Sequence, residues 1–258
     1  MNCKSIILLI VVLLFWGNAE ARKKKGKKVE EVQTESAYRK FFKGKACETA
    51  KGMITLHKMD GRVYFEIPLA LMGREMLMGS TISEITNNGF GSVGEKPKGL
   101  LYISFVRCDS VISLKQLTAQ YDTNEENLKQ RIKESTIPAT IKNFKITTYN
   151  EDSTAVVIDM TDYLVSADEA IDPFSPWAPI LAGGERVMEK EFRRENSQVV
   201  SIKAFEDNVS VKSSLTYGLS LKNKVMYIFQ REPFTVVMTR SFILLPEHSM
   251  RPRLADPR

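Results

Sequence analysis

The side chains able to do chemistry are few and poorly spaced for it. Two histidines occur, in the runs His57-Lys58-Met59-Asp60-Gly61 and His248-Ser249-Met250-Arg251-Pro252. A catalytic zinc takes three protein ligands, two of them commonly from a helical His-Glu-x-x-His. Neither histidine has that context, so neither is expected to ligate zinc. His57 falls in a strand-like run, where a cross-strand contact is its expected role, and His248 falls in a proline-flanked turn. Ser80 and Ser104 lack a nucleophile elbow and a partnered base, and the phosphate-loop and dinucleotide fingerprints do not occur in the sequence. Glu66 and Asp159 are carboxylates that could act together only if the fold paired them. The chain alone is therefore read as no enzyme, with no catalytic residue, no metal ligand and no cofactor of its own.

The cysteines are Cys3, Cys47 and Cys108. Cys47 and Cys108 could form a disulfide if exported, provided their Cα atoms come within about 7 Å. Two separate half-buried thiols are the alternative.

The elements that must position these groups begin at residues 52–85. Asp60-Gly61 tolerates positive φ at both central positions of a tight turn, which predicts a hairpin. His57 then faces Tyr64 and Leu56 faces Phe65. Ile54, Leu56, Val63, Phe65 and Ile67 share one face, and Thr55, His57, Tyr64 and Glu66 share the other. A slip of one residue would scramble both faces, so the pattern specifies the register. Pro68 ends the second strand. Residues 68–75 read as a helical turn closed by Gly73, and residues 76–85 as an extended return.

Residues 36–45 read as a short helical lead-in. Residues 101–106 and 111–117 read as strands around a Cys108-Asp109-Ser110 turn. Thr123 with Glu126 makes a capping box for a helix carrying Leu128 and Ile132 on one face. Residues 144–149 and 154–160 read as a second hairpin, 161–170 as a short helix, and the charged residues 186–196 as another. Four strand-like runs succeed them, at 199–205, 209–217, 225–230 and 235–245. Strands succeeding one another through short turns argue for antiparallel meanders. The fold class is α+β, β-dominated, with antiparallel meanders, hairpins and a few short helices. Residues 171–184 form a Pro/Gly-rich loop with Phe174 and Trp177. It reads equally as a contact loop using exposed aromatics or as a loop packed on those same rings.

At the N-terminus an apolar run at residues 6–16 is too short for a membrane span and right for a signal-peptide core. Ala19-Glu20-Ala21 supplies the small-x-small site, so cleavage is expected between Ala21 and Arg22, leaving no transmembrane helix; an uncleaved anchor with the basic side retained inside is the alternative. Of the net charge of +6, residues 22–28 alone hold six positive charges, so the remainder is close to neutral and nucleic acid is not an expected partner. The domain reading is 1–21 signal peptide, 22–35 basic linker, 36–90 small hairpin unit packed on the next domain, and 91–258 larger antiparallel domain, incomplete at its C-terminal end. With 43% hydrophobic residues the chain can bury cores of this size.

The stretch FEIPLALMGREMLMGSTISEI resembles a block near the N-terminus of large secreted bacterial zinc metalloproteases. Three further blocks resemble the same region: YNEDSTAVVIDMTDYL (149–164), SIKAFEDNVSVKSSLTY (201–217) and TVVMTRSFILLPEHSMRPRLADPR (235–258). Those proteases carry two adjoining domains of unknown function ahead of a metzincin-like catalytic domain. The resemblance implies export to the periplasm, the outer-membrane surface or the medium. It also implies a partner, a C-terminal metalloprotease domain, with zinc expected only there. The two histidines match no catalytic position of that family. The expected function is a non-catalytic N-terminal region, a truncated member or a fragment, that packs against or assists a protease domain outside this chain. The alternative is a stand-alone cell-envelope binding module using a sheet edge or the 171–184 loop.

Overall fold

The structure is a computed structural model that describes residues 36–117, 125–174, 186–223 and 232–247. The Asp60-Gly61 turn takes the conformation its residue types permit, with φ of 52° and 72°, both positive as a type I′ hairpin requires. It joins β2 (Thr55–Met59) to β3 (Arg62–Pro68), with His57 opposite Tyr64 and Leu56 opposite Phe65. Ile54, Leu56, Val63, Phe65 and Ile67 are buried on the inner face. Pro68 closes β3, and a 3₁₀ turn (Leu69–Leu71) with Gly73 at φ 77° reverses the chain. The return strand β4 (Met76–Ile85) alternates, turning Met76, Met78, Ser80 and Ile82 inward.

The remaining strands are β1 (Glu48–Ala50), β5 (Leu101–Cys108), β6 (Val111–Gln116), β7 (Ala139–Tyr149), β8 (Ala155–Asp159), β9 (Arg186–Ala204), β10 (Asn208–Asn223) and β11 (Glu232–Leu244). The short helices are α1 (Ala37–Phe42), α2 (Glu126–Ser135) and α3 (Thr161–Leu164). Among the described residues the strands form one 11-stranded sheet in the order β1-β2-β3-β8-β7-β6-β5-β4-β11-β10-β9. Every pair is antiparallel. The β-dominated, antiparallel fold expected from sequence is the one observed.

The sheet curls until its two ends meet. The Met53 amide donates to the Phe205 carbonyl at 2.7 Å, and Lys58 Nζ reaches the Val200 carbonyl at 2.6 Å. Phe65 of β3 lies edge-to-face on Phe242 of β11 with ring centroids 5.4 Å apart, and Phe105 of β5 approaches the same ring at 6.2 Å. These rings fill the interior that the curled sheet encloses. At the seam, a Cβ on Gly52 would sit 2.4 Å from the Phe205 carbonyl oxygen and 2.6 Å from its amide nitrogen. Backbone cannot yield as a flexible side chain can. Gly52→Ala is therefore expected to part the seam and lower stability by about 1–3 kcal/mol, the cost of overpacking. A urea denaturation midpoint checks this, and an unchanged midpoint would place the seam elsewhere.

Not every expectation matches what is observed. Residues 186–196 are strand and not helix, because β10 runs on to Asn223 and pairs with residues 186–193, Phe192 opposite Tyr217 and Lys190 opposite Leu219, before a bulge. Pairing overrides the charged composition, which strand alternation tolerates on an outward face. The run expected at 225–230 lies outside the described residues, and Lys222-Asn223 continue β10. The helix from Thr161 stops at Leu164. In α2, Leu128 is 44% exposed and not packed, and Thr123 lies outside the described residues. The 36–90 segment does not stand apart. Its β3 pairs with β8, and its β4 pairs with both β5 and β11.

Candidate functional site

The chemistry-bearing side chains that the fold brings together lie on the outer face of β1, β2 and β3, under α1. Strand alternation sends His57 and Glu66 to this face, two register positions apart on neighbouring strands, a diagonal that long side chains can bridge. His57 Nε2 donates to Glu66 Oε2 at 2.9 Å. The Tyr38 hydroxyl of α1 donates to the same oxygen at 2.7 Å. With Nε2 carrying the proton, a neutral imidazole leaves Nδ1 to accept, and the Thr49 hydroxyl stands 3.0 Å from it. Cys47 Sγ lies 3.8 Å from the same nitrogen and 3.5 Å from Thr49 Oγ1. Phe42 packs on the imidazole at 4.6 Å and Phe41 on Tyr64 at 5.1 Å. The His57 and Glu66 side chains are 6% and 14% exposed, so the polar chain runs beneath an aromatic cover.

A carboxylate, an imidazole and a thiol in line resemble the order of a base-activated nucleophile. The distances decide against that use. Thr49 occupies Nδ1 at hydrogen-bond length, while the thiol stands 0.8 Å farther off. Both ring nitrogens are committed, and each commitment ties a different element to β2. What the arrangement does is clamp β1, β3 and α1 around one histidine. Cys47 borders an open groove of about 430 Å³ shared with Glu48, Lys58 and Asp60.

The hydrogen bond from His57 holds the Glu66 carboxyl below its usual range, Tyr38 adds to this, and burial opposes it. Burial and the bond to Glu66 raise the Tyr38 hydroxyl. A carboxyl depressed in the folded state contributes stability above its unfolded pKa and loses it as pH falls through the folded value. Glu66→Gln is expected to remove that acid dependence and to cost about 1–3 kcal/mol near neutral pH, as for a lost charge-assisted hydrogen bond. Unfolding monitored between pH 3 and 7 checks it. A variant whose acid limb parallels the parent would sink the assignment.

The other candidates scatter. Asp159 does not join Glu66; it binds Arg62 Nη1 at 2.6 Å and accepts the Thr161 amide at 2.9 Å. Ser80 and Ser104 are buried strand residues, Ser80 on the inward face of β4 and Ser104 on the face of β5 opposite Ile103 and Phe105. Cys47 and Cys108 are both free, so the disulfide is not formed. Cys47 sits at the start of β1, and the exposed Cys108 accepts from Ser113 Oγ on β6 at 3.6 Å. Phe174, expected as a candidate exposed ring of the contact loop, is buried against Tyr217 at 5.1 Å and Phe234 at 5.6 Å. Trp177, His248 and the cleavage residues Ala19, Ala21 and Arg22 lie outside the described residues. Among the described residues no three His, Cys, Asp or Glu side chains are placed to hold a metal ion. Tyr38 and Thr49 carry no signal in the sequence. Thr49 belongs to a three-residue edge strand with no apolar alternation, and Tyr38 reaches Glu66 from a separate helix.

A family model described as Domain of unknown function (DUF5118) matches residues 35–85, and one described as Domain of unknown function (DUF5117) matches residues 95–258. No curated protein and no solved structure matches the chain. The gap between the two matched segments falls between β4 and β5, which pair with each other.

Proposed function

This chain belongs to the family of the domain of unknown function DUF5117, and from that premise we propose that it is the non-catalytic N-terminal region of an exported zinc metalloprotease-like protein, packing against or assisting a protease domain. The observation that carries this reading is the set of four blocks resembling such proteases. The blocks supply β3 and β4, β8 with α3, parts of β9 and β10, and β11. They include strands that line the interior and are drawn from both matched segments.

The binding-module alternative draws less support. The two ends of the sheet meet at the Met53–Phe205 hydrogen bond, and Phe174 is buried. The first reading is tested with an antibody against residues 36–258, applied to the cell envelope and medium of the producing cells. The expected result is recovery of chelator-sensitive peptidase activity, on the same chain or on a bound partner, while purified residues 36–258 have none. Recovery of no metal-dependent peptidase would overturn it, as would chelator-sensitive hydrolysis by residues 36–258 alone.

A further inference from the structure

The inward face of β11 reads Phe234, Val236, Met238, Arg240, Phe242, a guanidinium where the alternation calls for an apolar side chain. Arg240 is 0% exposed. Its Nε and Nη1 have no hydrogen-bond partner, and Nη2 reaches only the Ile171 carbonyl at 3.4 Å, long for an N–H···O bond. Two other buried groups without partners lie on the same face, Ser213 Oγ and Tyr217 Oη. On β10, Val211 is register partner to Arg240, Ser213 to Met238 and Tyr217 to Phe234. The Tyr217 ring packs on Phe174 at 5.1 Å, three residues from the Ile171 whose carbonyl Arg240 reaches, so both side chains meet the same 171–174 segment.

Among the described residues no carboxylate makes an ion pair with Arg240, although Asp168 is near enough to favour its charged form. Buried Asp172 is taken by Lys190 and by the Phe174 amide. Asp168 accepts the Ala170 amide and makes no ion pair with Arg240. Deprotonation gives no escape either, because burial lowers the guanidinium only to about 10. A buried cation left unpaired is among the most costly arrangements in a core. Each unsatisfied group here can donate, the two hydroxyls being able to accept as well, and with the guanidinium charge uncompensated an anion would satisfy all of them at once.

We propose that Arg240, Tyr217 and Ser213 form an enclosed site for a small monovalent anion of the halide class. One guanidinium charge calls for one negative charge, and a fully buried position flanked on the inward face by Val211, Leu215, Val236 and Met238 admits a compact ion more readily than a bulky one, while a doubly charged ion costs more to desolvate. The anion is a structural ligand, and the inference is independent of the proposed function.

The test uses the purified full chain in sodium chloride, sodium bromide and sodium gluconate at matched ionic strength. Tm is expected to rise with halide and not with gluconate, by about 3–6 °C at roughly ten times the half-saturating concentration. Arg240→Met should abolish the difference between salts whatever its own stability. If that variant does not fold, Tyr217→Phe keeps the ring and removes one donor, and should raise the half-saturating halide concentration about 3–10-fold. Crystals grown in bromide should show anomalous scattering beside Arg240. Equal Tm in all three salts, or ordered water in place of bromide, would overturn the proposal.

Discussion

Phe65→Ala is expected to lower the unfolding free energy by about 3–5 kcal/mol, the range for truncating a buried aromatic and leaving its cavity. The ring is 0% exposed and lies 5.4 Å from Phe242, which in turn meets Phe105. Phe65 belongs to the segment at 35–85, and Phe242 and Phe105 belong to the segment at 95–258. The substitution therefore opens a void between the two matched segments and not inside either. If they form one cooperative body, amides of β2 and β3 and amides of β10 and β11 should lose hydrogen-exchange protection together. Loss confined to residues 36–90, with β10 and β11 as protected as before, would mean that the segments unfold independently.

That coupling is only partly legible in the sequence. The hairpin at 55–68 is fully readable, because its turn chemistry and its two-residue alternation agree and leave one register. The return strand at 76–85 is readable for the same reason. Which strands sit beside β3 and β4 is not, since pairing with β8 and β11 depends on residues 87 and more positions away. A separate unit at 36–90 is what local pattern alone suggests. The same limit explains residues 186–196, where charges argue for a solvated helix until a partner strand is known.

The His57 clamp shows a similar division. The shared face of His57, Tyr64 and Glu66 comes from register, and the diagonal rule is enough to join His57 to Glu66. Thr49 and Tyr38 cannot be found that way, because a three-residue strand and a six-residue helix carry no periodic signal. Arg240 is legible as a break in the β11 alternation. A charge at an inward position is a local inconsistency of the kind that marks a special site.

Lys190→Met carries the other large expected effect. Asp172 is the most deeply buried carboxylate among the described residues, its side chain 1% exposed and its counter-ion Lys190 of β9, whose side chain is 36% exposed. The Asp172 carboxylate also accepts the Phe174 amide at 2.8 Å, while Lys190 Nζ lies over the Phe174 ring at 5.3 Å. The pair thus pins residues 172–174 against the β9–β10 arm and seats Phe174 between Tyr217 and Phe234. Removing the lysine leaves a buried charge with one amide donor, which should cost about 3–5 kcal/mol. Adding Asp172→Asn to that variant removes the charge but keeps an acceptor for the Phe174 amide. The double variant should therefore recover more than half of the loss. A surface-like loss below about 1 kcal/mol in the single variant would show that solvent, and not Lys190, neutralises Asp172. Equal losses in the single and double variants would show that packing of the lysine stem on Phe174, and not charge, holds this segment in place.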